Sequence, residues 1–242
     1  MSNELRAYLL LVAYPAIIVF LIDWSGPGSR WAMKHRSSML PPAIKGIQET
    51  RGRFLLLIKY ALVVLAAWGI TNRDQRHLLA MEIRTHSWPV VFLSGLFGGV
   101  FIFGFRRLLA LSWPPIAVSE SRDYTLRGRI SIWLAIFLFG GLAEELWRAL
   151  CILSFLQVGQ TAIVGAVLPA LAFSLAHMSG LPARIPGGLE IACAEAITGL
   201  LLGTLFLWSG NLFSPYLASL VYYTLNLYWL RTRQNVSNVG EA

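Results

Sequence analysis

Seven apolar stretches, near residues 7–23, 54–71, 88–105, 130–156, 161–179, 189–208 and 212–230, alternate with polar segments along the chain. Each approaches the roughly 20 residues a helix needs to cross the hydrocarbon core of a bilayer. In lipid every backbone polar group must be paired within its own segment or within a closed barrel. The pattern therefore predicts an all-α fold, a polytopic transmembrane helix bundle of about seven spans.

The polar segments orient that bundle. The first, Trp24–Arg53, opens with Gly-Pro-Gly and carries Arg30, Lys34, Arg36, Lys45, Arg51 and Arg53. The second, near 71–87, holds Arg73, Arg76 and Arg84, and the third holds Arg106, Arg107, Arg122, Arg127 and Arg129. Later connections are nearly uncharged except for Arg184, and Arg231 and Arg233 follow the last span. The excess of Lys and Arg on cytoplasmic loops places the first, third and fifth loops and the C-terminus inside, with the N-terminus outside. The chain divides into 1–129, N-terminal helices with basic loops; 130–230, a four-helix core; and 231–242, a short polar tail expected to be unstructured.

Composition agrees. Of 242 residues, 56% are hydrophobic and 13% charged, which excludes an ordinary soluble domain. The net charge of +8 fits basic loops beside a bilayer, and no nucleic-acid partner is expected. Several of the nine tryptophans, Trp24, Trp88, Trp113 and Trp208 among them, fall near span ends, as in an interfacial aromatic belt. The two cysteines, Cys151 and Cys193, lie in apolar runs and form no disulfide framework. The apolar run after Arg6 lacks a small-residue cleavage site, so it is read as a retained span rather than a signal peptide. The protein is thus expected to be an integral multi-pass membrane protein, in the inner membrane if bacterial.

Chemistry enters at Gly141–Leu150, Gly-Leu-Ala-Glu-Glu-Leu-Trp-Arg-Ala-Leu, inside the fourth apolar run. A charge at that depth costs roughly 2.5–3.5 kcal/mol on insertion scales, so intramembrane charges mark function by default. On a helix Glu144 meets Arg148 at i,i+4 and Glu145 meets it at i,i+3, so one arginine can neutralise either acid. A Glu–Arg pair alone reads equally well as a structural tie between helices. The doublet leaves one acid over.

Helical rise puts Glu144, His177, Glu195 and Asn226 in one layer, roughly 20–25 Å below the surface marked by Gln157–Gln160 and Asn211. His177 is the one histidine inside a span. Alone it reads better as a histidine bonded to a neighbouring backbone; beside a surplus carboxylate the reading reverses to a general-base pair that holds one water. A zinc site is the rival reading. It needs three protein ligands and an open position, and with no second intramembrane histidine a Glu144–His177 site must borrow Glu145 or Glu195. That set is unusual, so no metal or other cofactor is expected.

Two motifs carry a resemblance. Glu144-Glu145-Leu-Trp-Arg148 is similar to Glu-Glu-x-x-x-Arg, with Arg148 three residues after Glu145, and Phe173-Ser-Leu-Ala-His177 follows Phe-x-x-x-His. The segment Ile130–Leu230 resembles the CPBP family of intramembrane proteases, also called the CAAX protease or bacteriocin-processing (Abi) family. That resemblance implies a glutamate-type endopeptidase in which Glu144 is the base. Glu145 and Arg148 tune it, His177 shares the water, and Phe173 and Glu195 line or support the site. The family's last motif, His-x-x-x-Asn, here reads Tyr222-Tyr-Thr-Leu-Asn226. Tyrosine is a poor zinc ligand, but Tyr222 and Asn226 are both donors on one helical face, as an oxyanion hole requires.

The function expected is hydrolysis of a peptide bond in a membrane-anchored or lipidated protein. The alternatives are a zinc-dependent version of that protease, a non-catalytic scaffold binding partners in the same cavity, and a transporter relaying protons through the acids. Neither repeat halves nor paired broken helices support the transporter. Reporter fusions to the two termini are expected to report opposite compartments; both on one side would mean a miscounted span.

Overall fold

The computed structural model describes residues 1–24, 57–58, 60–85, 87–111, 138–179 and 188–239. The basic loops at 25–53 and 122–129, residues 130–137 of the fourth apolar run and Arg184 lie outside the described residues, as do the side chains of His177, Arg231 and Arg233.

Every described element is helical: α1 (Asn3–Trp24), α2 (Tyr60–Ile70), α3 (Arg73–Thr85), α4 (Trp88–Leu111), α5 (Gly141–Gln157), α6 (Ala162–Ser179), α7 (Gly188–Ser209) and α8 (Phe213–Val239). Two of them, over Trp88–Leu109 and Ala192–Ser209, are long and apolar enough to cross a membrane, while Tyr60–Ile70 and Ala162–Ala176 are shorter apolar segments. The outward face of α4 carries Phe92, Leu93, Phe97, Val100 and Phe101, all exposed. An apolar surface this continuous suits lipid rather than water.

Helix α5 is the axis of the bundle. Thirteen of its seventeen residues are buried, the pattern of a helix covered on all sides. It packs against α1, α3, α6, α7 and α8, while α4 lies against α7 and α8. A larger core gathers Leu10, Tyr14, Trp147, Leu150 and Phe173 around α5, and a smaller one joins Ile102, Leu202, Ala218 and Tyr222 between α4, α7 and α8.

Three differences from the sequence expectation have local causes. The polar stretch after the second span contains a helix, α3. Asn72 and Gln75 start it with a capping box, each side chain accepting the other's backbone N–H at 2.8 and 2.9 Å. Gln75 then donates to Ser154 at 2.8 Å, tying α3 to the end of α5. Second, α4 runs six residues past the expected end of its span at 105, so Arg106 and Arg107 are half-buried helical residues rather than loop charges. Third, α8 continues to Val239 through the expected tail, because no glycine or proline stands between Pro215 and Gly240 to stop it.

One end of the bundle is tied by Asn72 donating to Asn3 at 3.2 Å, Arg6 to the Ile70 carbonyl at 2.9 Å, and Trp88 packed on Phe213 at 5.5 Å. Both Trp88 and Trp208 are strongly exposed, as an interfacial belt requires.

Small residues set the helix spacing. In Gly95-Leu-Phe-Gly-Gly99 a Cβ at position 95 would fall 2.8 Å from Leu217 Cβ, and one at position 99 would fall 2.6 Å from the Ala218 carbonyl oxygen. Across the bundle a Cβ at Gly199 would lie 3.2 Å from Ala170 Cα. Small residues four apart are the usual means of bringing helices together in lipid, where apolar burial supplies no preference. Buried hydroxyls add hydrogen bonds between the same pairs, Ser94 with Ser214 at 2.8 Å and Ser174 with the Ala192 carbonyl at 2.6 Å. Gly99→Ala is therefore expected to destabilise the protein by about 1–3 kcal/mol, the usual cost of overpacking, seen as a lower unfolding temperature in detergent. Gly104→Ala, with open space at its Cβ, should leave that temperature unchanged or slightly raised.

Candidate functional site

The site is built on α5 immediately after an irregular turn. Residues 138–140 form a wider, π-type turn, a feature often found at functional sites. Tyr216 of α8 donates to the Leu138 carbonyl at 3.1 Å. Gly140 lies against Tyr60, and a Cβ there would fall 2.7 Å from the phenol oxygen. The turn is thus held between α2 and α8, which sets the rotation of α5 and the directions of its two acids.

Those directions diverge. Glu145 ion-pairs with Arg148 one turn along and accepts a hydrogen bond from Ser219 of α8 at 3.0 Å. Arg148 is 1% exposed, with its guanidinium 4.8 Å over the ring of Phe173. Among the described residues its Nε and Nη2 meet no hydrogen-bond acceptor, and its charge is met by Glu145 and the Phe173 ring.

Glu144 faces another neighbourhood. Its Oε1 accepts a hydrogen bond from Tyr14 of α1 at 2.9 Å. Tyr60 and Tyr223 lie within electrostatic reach of it. Tyr14 itself stacks on Trp147, with centroids 4.5 Å apart and planes 24° apart, and on Phe173 at 5.8 Å and 18°. Trp147 in turn donates from Nε1 to the Leu10 carbonyl at 2.7 Å. Pro15 lies just after these residues and cannot donate to the Leu11 carbonyl, so the α1 ladder lacks one hydrogen bond next to its contact with α5.

A second polar group lies between α4, α7 and α8. Arg106 donates to Glu195 at 2.7 Å, and its guanidinium lies 5.4 Å over the ring of Tyr222. Arg107 donates to Asn226 Oδ1 and stacks on Trp229 at 3.5 Å. Each arginine of the doublet thus engages one residue of Tyr222-x-x-x-Asn226. Tyr222 and Asn226 sit with these arginines, while Glu144 sits with the phenols. Tyr223, its ring 5.0 Å from that of Tyr222, is within reach of both Glu144 and Glu195 and stands between the two groups.

The structure therefore gathers Glu144, Glu145, Arg148 and Phe173 in one cluster and Glu195, Tyr222 and Asn226 in the other. His177 belongs to α6, four residues after Phe173, and its imidazole lies outside the described residues. Among the described residues no three His, Cys, Asp or Glu side chains come together as metal ligands would. Tyr14, Tyr60, Ser219, Tyr223, Arg106 and Arg107 were not singled out as site residues by sequence reasoning. For Tyr14 the available signal was a hydroxyl beside a proline in an apolar span; for the arginines it was adjacency to a span end, which reads as an ordinary loop charge.

A family model described as type II CAAX prenyl endopeptidase Rce1-like matches residues 127–225, in agreement with the family that the sequence motifs resemble. Comparison with curated proteins and with solved structures finds no match. The matched segment contains both motifs and Tyr222 and stops just before Asn226, while Tyr14, Arg106 and Arg107 lie outside it.

Glu145→Ala would leave Arg148 as a buried charge without its carboxylate. Breaking such a pair typically costs about 3–5 kcal/mol. A large fall in unfolding temperature is expected, with Glu144→Gln close to wild type in the same measurement.

Proposed function

We propose that this chain is an intramembrane endopeptidase of the glutamate type that hydrolyses a peptide bond in a membrane-associated, prenylated protein. The family match supports a CAAX-type protease. The observation that carries the assignment of the base is the division of the doublet: Glu145 forms the ion pair with Arg148, and the buried Glu144 accepts a hydrogen bond from the neutral Tyr14 hydroxyl.

In this reading Glu144 removes a proton from water as the water oxygen adds to the scissile carbonyl carbon, with His177 holding that water. The carbonyl oxygen becomes an oxyanion, met by the Tyr222 hydroxyl and the Asn226 amide. Collapse breaks the C–N bond, and the proton held by Glu144 passes to the departing amine. Two features favour Tyr222 and Asn226 as donors. Arg107 occupies Asn226 Oδ1, which leaves the amide Nδ2 to donate, and the Arg106 guanidinium lies over the Tyr222 ring. A peptide along the seam of α5 and α8 would meet the base on one side and these donors on the other. Among the described residues three phenols lie about Glu144: Tyr14 donates to it, and Tyr60 and Tyr223 are within electrostatic reach.

The test uses the purified full-length chain and a farnesylated CAAX-type peptide. Wild type should cleave it and Glu144→Gln should not, because the amide keeps the shape but takes no proton. Tyr222→Phe should lower kcat by roughly 10²–10³, the cost of one oxyanion donor, with little change in KM. Cleavage that survives Glu144→Gln would overturn the base. A peptide left intact by wild type but still bound would favour a non-catalytic scaffold.

A further inference from the structure

We infer that Arg106 of α4 is a positioning residue for Tyr222: its guanidinium, anchored by Glu195 of α7, lies on the phenol ring and fixes the hydroxyl for the developing oxyanion. The inference rests on Tyr222 being an oxyanion donor, and it adds a residue outside the segment matched by the family model.

What holds Arg106 separates it from an ordinary charge at a span end. Its Nη1 donates to Glu195 Oε1 at 2.7 Å and makes a longer hydrogen bond to Thr198 Oγ1 at 3.5 Å. Those two partners are three residues apart on α7, so they face α4 together. Thr198 is itself fixed, donating to the Ala194 carbonyl at 2.8 Å. One end of the guanidinium is thus tied to α7 at two points. Its centre rests 5.4 Å over the Tyr222 ring, within the range of a cation–π contact. Arg106 also acts on Tyr222 more strongly than Glu195 does, so the counter-ion does not cancel the cation at the phenol. The remaining neighbours of the ring are largely apolar: Ile102, Leu202 and Ala218 pack with it, and the Tyr223 ring lies 5.0 Å away. Apolar packing sets how deep the ring sits, while the cation on its face sets its tilt. A donor fixed in this way meets the oxyanion without reorganisation, and the guanidinium adds a positive field as that charge grows. Arg106 keeps its charge throughout; it acts through Tyr222 and touches neither the water nor the scissile bond.

The test is a double-mutant cycle in the full-length chain on the farnesylated CAAX-type peptide, with Arg106→Gln, Tyr222→Phe and the two combined. Arg106→Gln should lower kcat roughly tenfold with little change in KM, the scale of a desolvated cation–π contact. It should cause no further fall once Tyr222 is Phe, because an effect exerted through the hydroxyl disappears with it. Arg106→Gln leaves Glu195 without its cation, so Arg106→Gln combined with Glu195→Gln is measured beside it. That amide pair carries no lone charge and should keep the unfolding temperature in detergent while showing the same fall in kcat. Unchanged kcat in Arg106→Gln would overturn the inference. So would equal falls in the wild-type and Tyr222→Phe backgrounds, or an amide pair that unfolds or regains full activity, because Arg106 would then be structural. If Tyr222→Phe is slow and Arg106→Gln is not, only the role of Arg106 fails. If Tyr222→Phe cleaves at the wild-type rate while Glu144→Gln is inactive, the oxyanion role of Tyr222 fails and that of Arg106 with it.

Discussion

The ion pair between Glu145 and Arg148 is the constraint on which the rest of this structure depends. An arginine 1% exposed inside an apolar bundle is tolerable only with a carboxylate beside it, and the helix supplies one a single turn away. Once that pair forms, Glu144 must find another environment on the neighbouring face of α5. The phenol of Tyr14 meets it there. The pair also explains why Phe173 is buried where it is, since its ring is the surface on which the guanidinium rests.

From that centre the bundle divides polar labour between two groups of helices. Around α1, α2 and α5, hydroxyls surround a carboxylate. Around α4, α7 and α8, two arginines hold one carboxylate, one amide and one phenol. In a low-dielectric interior such groups persist only when their members satisfy one another. Tyr223 stands where the two groups come closest. Residues of α1 and α4, outside the segment that matches the family, complete both groups, so the N-terminal helices contribute polar contacts as well as bulk.

Close approach of the helices makes these contacts possible. Side chains reach across from α4 to α8 because Gly95 and Gly99 let the backbones meet, and α6 and α7 approach at Ala170 and Gly199 for the same reason. A wider spacing would leave Arg107 short of Asn226 and Ser94 short of Ser214. In lipid those unpaired groups would have no water to turn to.

What was legible in the sequence alone was whatever lies within one helix or within composition. The apolar runs determined the helical class, and the i,i+3 spacing of Glu145 and Arg148 made their pairing available. The surplus of one acid at Glu144 followed from counting, and the Phe173 and His177 motif marked α6. Only the tertiary structure decided which acid Arg148 takes, that Tyr14 meets the other, and that Arg106 and Arg107 turn inward to Tyr222 and Asn226. The physical reason is that helical periodicity fixes directions along one element, whereas contacts between elements depend on the rotation and separation of packed helices. In this chain those are set by a π-type turn at 138–140, by Tyr60 against Gly140, and by Gly95 and Gly99, whose neighbours on α8 lie more than a hundred residues away.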